Sequence, residues 1–207
     1  MGWWERHVVP RLVDVTCSQR PVMELRREVC AGLTGRVLEI GFGSGLNLAV
    51  LPAAATRIDA VEPSDLAWAR SESRRRESRI PVERIGLDGQ RIAADDATYD
   101  SALVTFSLCT IPDPGLALTE VRRLLKPGGR LFFIEHGVAP DERVRRWQRR
   151  LEPVQRRMAG GCHLTRDPVA LVENAGFTVT DADGFYLAPG PSKPFGFLSL
   201  TRAGAGV

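Results

Sequence analysis

A chain of 207 residues, 43% hydrophobic and 26% charged, has the size and make-up of one globular domain with a sizeable core. A formal net charge of +3 is too small to argue for a nucleic acid partner, and no apolar run approaches the roughly 18 residues of a membrane span. The cysteines Cys17, Cys30, Cys109 and Cys162 are scattered with no CxxC pair, which argues against a disulfide scaffold and against bound metal, and makes the cytoplasm the default compartment.

The opening MGWWERHVVPRLVDV is broken by charges and Pro10, so it lacks the apolar centre of a signal peptide. Gly2 does not complete a myristoylation signal, because Arg6 stands where Ser or Thr is required. Residues 1–34 read as an N-terminal helical lid, 35–137 as the half that binds a cofactor, and 138–207 as substrate-side helices and closing strands of the same single domain. Arg36-Val37-Leu38-Glu39-Ile40 predicts a strand and Leu46 to Leu51 a helix closed by Pro52. A second strand spans Arg57 to Glu62, and a helix capped by Ser64-Asp65 runs to Ser78. Val82 to Gly86 and Tyr99 to Phe106 are the third and fourth strands. Pro112 to Leu125 reads as a helix burying Leu116, Val121, Leu124 and Leu125, stopped by Lys126-Pro127-Gly128-Gly129 before a strand at Arg130 to Glu135.

Strand and helix in alternation predict a doubly wound α/β fold, a parallel sheet covered on both faces. The order changes after Glu135. An arginine-rich helix runs from about Asp141 to Met158, a positive face between Arg143 and Arg157 suited to solvent or to an anionic partner. A helix at Asp167 to Ala175 follows, capped by Thr165 or Asp167. Phe177 to Tyr186 and Phe197 to Thr201 are joined by APGPSKPFG, too short for a crossover helix, so this pair is antiparallel.

The loop LEIGFGSGLN follows the first strand, where an open parallel sheet binds ligands. Its glycines, Gly41, Gly43 and Gly45, have GxGxG spacing. Leu46 stands where a dinucleotide fingerprint needs a small residue, and there is no lysine for a phosphate loop. Glu39 at the mouth of the loop would repel a pyrophosphate and suits a cation. Glu62 ends the second strand where an acid accepts from ribose hydroxyls. Asp88-Gly89 adds an acidic turn after the third strand. Three acids on one sheet edge suit a ligand with a ribose, an amine and positive character, such as S-adenosylmethionine.

With VLEIGFGSG, AVEPS, GLDGQ, YDSALVTFSLCTIPDP and VRRLLKPGGRLFFIEHG in order, nearly the whole chain resembles the class I S-adenosylmethionine-dependent methyltransferases. The resemblance implies a Rossmann-like sheet of seven strands, mostly parallel with an antiparallel last strand, in three α/β/α layers. It implies that Gly41, Gly43 and Gly45 approach the methionine and ribose portions of the cofactor, and that Glu39 holds the loop and, directly or through water, the amino group. Glu62 takes the ribose hydroxyls, Asp88 the adenine amino group beside the Gly89 backbone, and Thr105 lies near the methionine part. Ser44, Asn47 and Pro63, within the same motifs, complete that set.

On the acceptor side, an in-line methyl transfer depends mainly on positioning, with histidine the usual base. His136, after the fifth strand, and His163, in GGCHLTR, are the candidates, and Cys109 and Cys162 are candidate pocket residues. EHGVAPDERVRRWQRRLEPVQRRMAGGCHLTRD and SLCTIPD are most similar to the thiol methyltransferases of the methyltransferase-like membrane group. Those proteins carry an N-terminal membrane-anchoring segment that has no counterpart in this sequence. The expected activity is methylation of a small molecule, favoured acceptor a thiol. Phospholipid N-methylation, quinone C- or O-methylation, and cofactor binding without catalysis stay open, as do a monomer or homodimer and peripheral membrane contact.

Overall fold

The computed structural model describes residues 4, 7–187 and 190–205. Gly2 and Arg6, and Ala188 and Pro189 of the last turn, lie outside the described residues. Seven strands form one sheet: β1 Gly35–Ile40, β2 Ala55–Val61, β3 Val82–Gly86, β4 Tyr99–Thr105, β5 Leu125–His136, β6 Thr178–Tyr186 and β7 Phe197–Gly204. Their order is β3-β2-β1-β4-β5-β7-β6. The first five pair in parallel, and β7 runs antiparallel to both β5 and β6. The chain reverses its direction of build between β1 and β4, so a ligand crevice belongs beyond the carboxyl ends of those two strands.

Side chains alternate across each strand and feed a core on each face. Leu38, Ala102, Val104, Leu131 and Phe133 pack on one side, with α5 (Pro114–Leu124) and α7 (Pro168–Asn174) above them. Val37, Leu103, Phe132 and Ile134 pack on the other, against Val29 and Cys30 of α2 (Arg20–Cys30). Before α2 comes α1, Val9–Cys17. The arginine-rich helix is α6, Glu142–Met158, capped by Asp141, whose carboxylate accepts from the amides of Arg143 and Val144. Arg145, Arg146 and Arg149 pair with Glu142, so its positive face is partly neutralised within the helix.

Several local expectations need correction. The segment after the glycine loop is one 3-10 turn, Leu46–Val50, because extended Leu51 and then Pro52 stop it. The helix expected to Ser78 is two short ones, α3 Asp65–Arg70 and α4 Glu72–Arg76. They break at buried Ser71, whose hydroxyl donates to the Trp68 carbonyl and accepts from Arg75. Leu116 is 54% exposed: the buried stripe of α5 is Ala117, Leu118, Val121 and Leu124, which turns Leu116 outward. The helix stops at Leu124, just before Lys126 to Gly129, but β5 starts at Leu125 rather than Arg130, so those residues form an irregularity within the strand, whose pairing jumps from Tyr99↔Leu125 to Ser101↔Arg130. Asp167, not Thr165, caps α7.

Candidate active site

A cavity of about 540 Å³ opens over the carboxyl ends of β1, β2, β3 and β4. Its wall includes Gly41, Gly43 and Ser44 after β1, Glu62 and Pro63 after β2, Asp88 and Gly89 after β3, and Thr105 at the end of β4. Glu39, Gly45 and Asn47 are not part of that lining. Helix α1 lines one side with Val9, Pro10, Val13, Asp14 and Cys17. Asp14 fastens it, accepting from the Ser44 hydroxyl and from Arg70.

Two glycines shape the loop. Gly41 has φ +74°, and a Cβ there would sit 1.8 Å from the Ser107 hydroxyl, so only glycine lets the β1 and β4 loops approach this closely. Gly43 has φ +60°, and a Cβ there would meet no protein atom within 4 Å. Its open side belongs to the cavity. Glu62 is 5% exposed and holds the loop from across the crevice: Oε2 accepts from the Gly43 amide at 2.6 Å and Oε1 from the Ser64 amide at 2.7 Å. Burial raises its pKa, against the pull of those two amides. Asp88 is exposed, and its Oδ1 accepts from the Gln90 backbone and side chain, which hold its pKa down.

Beneath the glycine loop is a buried polar network. Asn47 Nδ2 donates to Glu39 Oε1 at 2.7 Å and to Thr105 Oγ1 at 3.0 Å. Arg26 Nη1 donates to Asn47 Oδ1 at 2.7 Å and to Thr105 Oγ1 at 2.9 Å. Arg26 Nε and Glu39 Oε2 are buried without a hydrogen-bond partner among the described residues. Burial pushes the Glu39 carboxyl up to about 7, with Asn47 and then Arg26 pulling it back. Buried polar atoms are nearly always satisfied, so one unpaired cation edge and one unpaired carboxylate oxygen beneath the glycine loop are exceptions. Arg26 is the residue that the motifs did not reveal. It sits on α2 among Val22, Val29 and Cys30, and an arginine on an otherwise apolar stripe was the signal available.

Phe106, just past β4, has φ +57°, a left-handed conformation that a bulky side chain rarely adopts. It lines the cavity, and its ring packs on His136 with centroids 5.4 Å apart. The expected acceptor-side residues are not in the cavity lining. His136 is half-buried with Nδ1 facing Cys162 Sγ at 4.0 Å. His163 Nδ1 lies 3.2 Å from Glu152 Oε1, and its amide donates to the Cys109 carbonyl. Cys109 and Cys162 are 2% and 3% exposed, packed with Leu164 behind the wall. A second unforeseen residue is Glu135, fully buried, whose carboxylate accepts from the amides of Ser107, Leu108 and Cys109.

Sheet order, glycine loop and acidic edge define a methyl-transfer fold, and the chain belongs to the class I S-adenosylmethionine-dependent methyltransferases. Residues 38–133 match the methyltransferase domain family. The human thiol S-methyltransferase TMT1B is 32% identical over 197 residues, 86% of this chain and 80% of that protein. The rat protein of the same name is 34% identical over 148 residues, 69% of this chain, which spans 59% of its length. Among solved structures, an S-adenosylmethionine-dependent methyltransferase of Methanosarcina mazei is similar with TM-score 0.64 and 19% identity, covering 82% of this chain and 91% of that one. The [4+2]-cyclase SpnF is similar with TM-score 0.68 and 20% identity, covering 90% and 80%. These likenesses concern the fold alone.

Proposed function

We propose that this methyltransferase acts on a small thiol. The observation that carries the reading is the extent of similarity to the human thiol S-methyltransferase, which runs over 86% of the chain and so beyond the cofactor half. The cavity supports it: among the described residues its lining contains neither histidine nor lysine. A thiol, with an ordinary pKa of about 8.5, supplies some thiolate near neutral pH without a dedicated base, whereas a phenol or ammonium needs more help.

S-adenosylmethionine supplies an electrophilic methyl group on its sulfonium. The residues that would hold it fit. Glu62 keeps lone pairs for the ribose hydroxyls, and the open face of Gly43 admits close approach. The unpaired Glu39 Oε2 suits the ammonium, directly or through water, and the Arg26 guanidinium suits the carboxylate. Asp88 Oδ2 is the oxygen left for the adenine amino group, since Oδ1 serves Gln90. Helix α1 and Phe106 then keep water from the reacting atoms, which favours in-line attack.

Incubation with labelled cofactor and a panel of thiols, phenols, quinols and amino lipids tests the reading. Label is expected on sulfur. Label on a quinol or a lipid amine, with the thiols untouched, would overturn it.

Glu39 sets a pH dependence for cofactor binding. With its pKa raised to about 7, its carboxyl is largely protonated at pH 6 and ionised at pH 8. An ammonium prefers the ionised form, so affinity should rise across this interval and binding should release a proton. Titration calorimetry in buffers of different ionisation enthalpy reads both effects, and Glu39→Gln should flatten the profile.

One observation favours a lipid-like acceptor as the second reading. Trp147, Val154 and Met158 are 48%, 56% and 53% exposed along α6, among its arginines. Such a face suits an anionic lipid surface. No helix among the described residues is long and apolar enough to cross a membrane.

A further inference from the structure

Three side chains distant in sequence converge behind the cavity wall. Cys109 lies in the loop after β4, His136 ends β5, and Cys162 sits in the turn after α6; one ligating atom from each lies within 4.8 Å of the others. We propose that Cys109, His136 and Cys162 form a zinc-binding site.

The donor set is the first argument. Two thiolates and an imidazole suit zinc and exclude magnesium and calcium, which take oxygen ligands. Distance is the second. Tetrahedral zinc, with bonds of about 2.3 Å to sulfur and about 2.0 Å to nitrogen, separates two sulfurs by about 3.8 Å and sulfur from nitrogen by about 3.6 Å. Cys162 Sγ and His136 Nδ1 are already 4.0 Å apart, so a shift of about 0.4 Å brings them into range.

Preorganisation is the third. The two cysteine-bearing loops are tied to each other without the ion. The His163 amide donates to the Cys109 carbonyl at 2.8 Å, and Arg166 Nη1 donates to the carbonyls of Leu108 and Ile111 at 2.5 and 2.7 Å. Glu135 holds the Cys109 amide from below at 3.3 Å. Around the thiols lie Leu151, Ala159 and Leu164, an apolar shell that limits solvent access to a bound ion.

Binding exchanges two thiol protons for the ion and releases them to solvent, with no oxidant involved. Three protein ligands leave the fourth position to water. Thr110 and Gly160 line the cavity, each within two residues of a ligand cysteine, so the ion pins two parts of the cavity wall to the sheet. This inference does not depend on the acceptor being a thiol.

Cobalt(II) provides the test. The reduced, metal-free chain is expected to bind one cobalt ion, develop thiolate-to-cobalt charge-transfer absorption, and lose it when zinc is added. Cys109→Ser and Cys162→Ser should each weaken that absorption, and Cys17→Ser should leave it unchanged. His136→Gln, which retains a polar side chain of similar reach, should weaken zinc binding by about tenfold or more while its circular dichroism matches that of the parent. The proposal is overturned if the reduced chain binds cobalt without charge-transfer absorption, or retains no zinc on dialysis. Equal zinc affinity in the folded His136→Gln variant and the parent would also overturn it.

Discussion

Replacing Glu62 with alanine should raise the dissociation constant for S-adenosylmethionine by about a hundredfold or more, from the loss of charge-assisted bonds worth roughly 1.5–3 kcal/mol each. The size follows from what this one carboxylate does. It holds the Gly43 amide at 2.6 Å and the Ser64 amide at 2.7 Å, so it fixes both the glycine loop and the start of α3. The same oxygens would accept from the ribose. Alanine removes the cofactor contact and loosens the loop that presents the others. Glu62→Gln separates these effects. It keeps one acceptor oxygen but turns an amino group toward one of the two amides, so affinity should fall to an intermediate value. Calorimetric titration measures both variants, with thermal melting to establish that each is folded. An unchanged dissociation constant in the alanine variant would remove Glu62 from the cofactor site.

The acidic edge was legible because it depends on local order: each acid lies at or within two residues of a strand's carboxyl end, and the parallel sheet aligns strand ends. Ile40, Val61 and Val104 meet in register, which brings Glu39, Glu62 and Thr105 to one rim. The sheet was legible for the same reason, since β-branched and aliphatic runs alternate with capped helices. What sequence could not show depends on pairing at long range. Arg26 enters the site from an N-terminal helix that carries none of the motifs, through bonds to Asn47 and Thr105. Cys109, His136 and Cys162 have no metal-ligand spacing, and only the approach of the turn after α6 to the ends of β4 and β5 unites them. Leu116 failed differently: apolar character alone does not decide which way a residue faces when its neighbours Ala117 and Leu118 make the buried stripe.

Glu135 carries the second large effect, this time on the scaffold. Sequence marks it only as the end of a strand, yet its carboxylate lies fully buried and accepts three consecutive amides, from Ser107 at 2.5 Å, Leu108 at 2.8 Å and Cys109 at 3.3 Å. These amides turn the chain out of β4 immediately after the left-handed Phe106, where no sheet partner is available to them. Burial pushes the Glu135 carboxyl up to about 7, and the amides of Ser107 and Leu108 pull against it. Glu135→Ala leaves three buried donors unpaired and opens a void, so it should cost about 3–5 kcal/mol of stability. Urea unfolding should show this as a lower midpoint at constant slope. Glu135→Gln keeps one oxygen for two of the amides but presents an amino group to the third, and should lose about 1–3 kcal/mol. Because the released loop carries Ser107 and Thr110 in the cavity wall, the alanine variant should also bind cofactor more weakly under conditions where it remains folded. Equal unfolding midpoints for Glu135→Ala and the parent would mean that water, rather than this carboxylate, satisfies the loop.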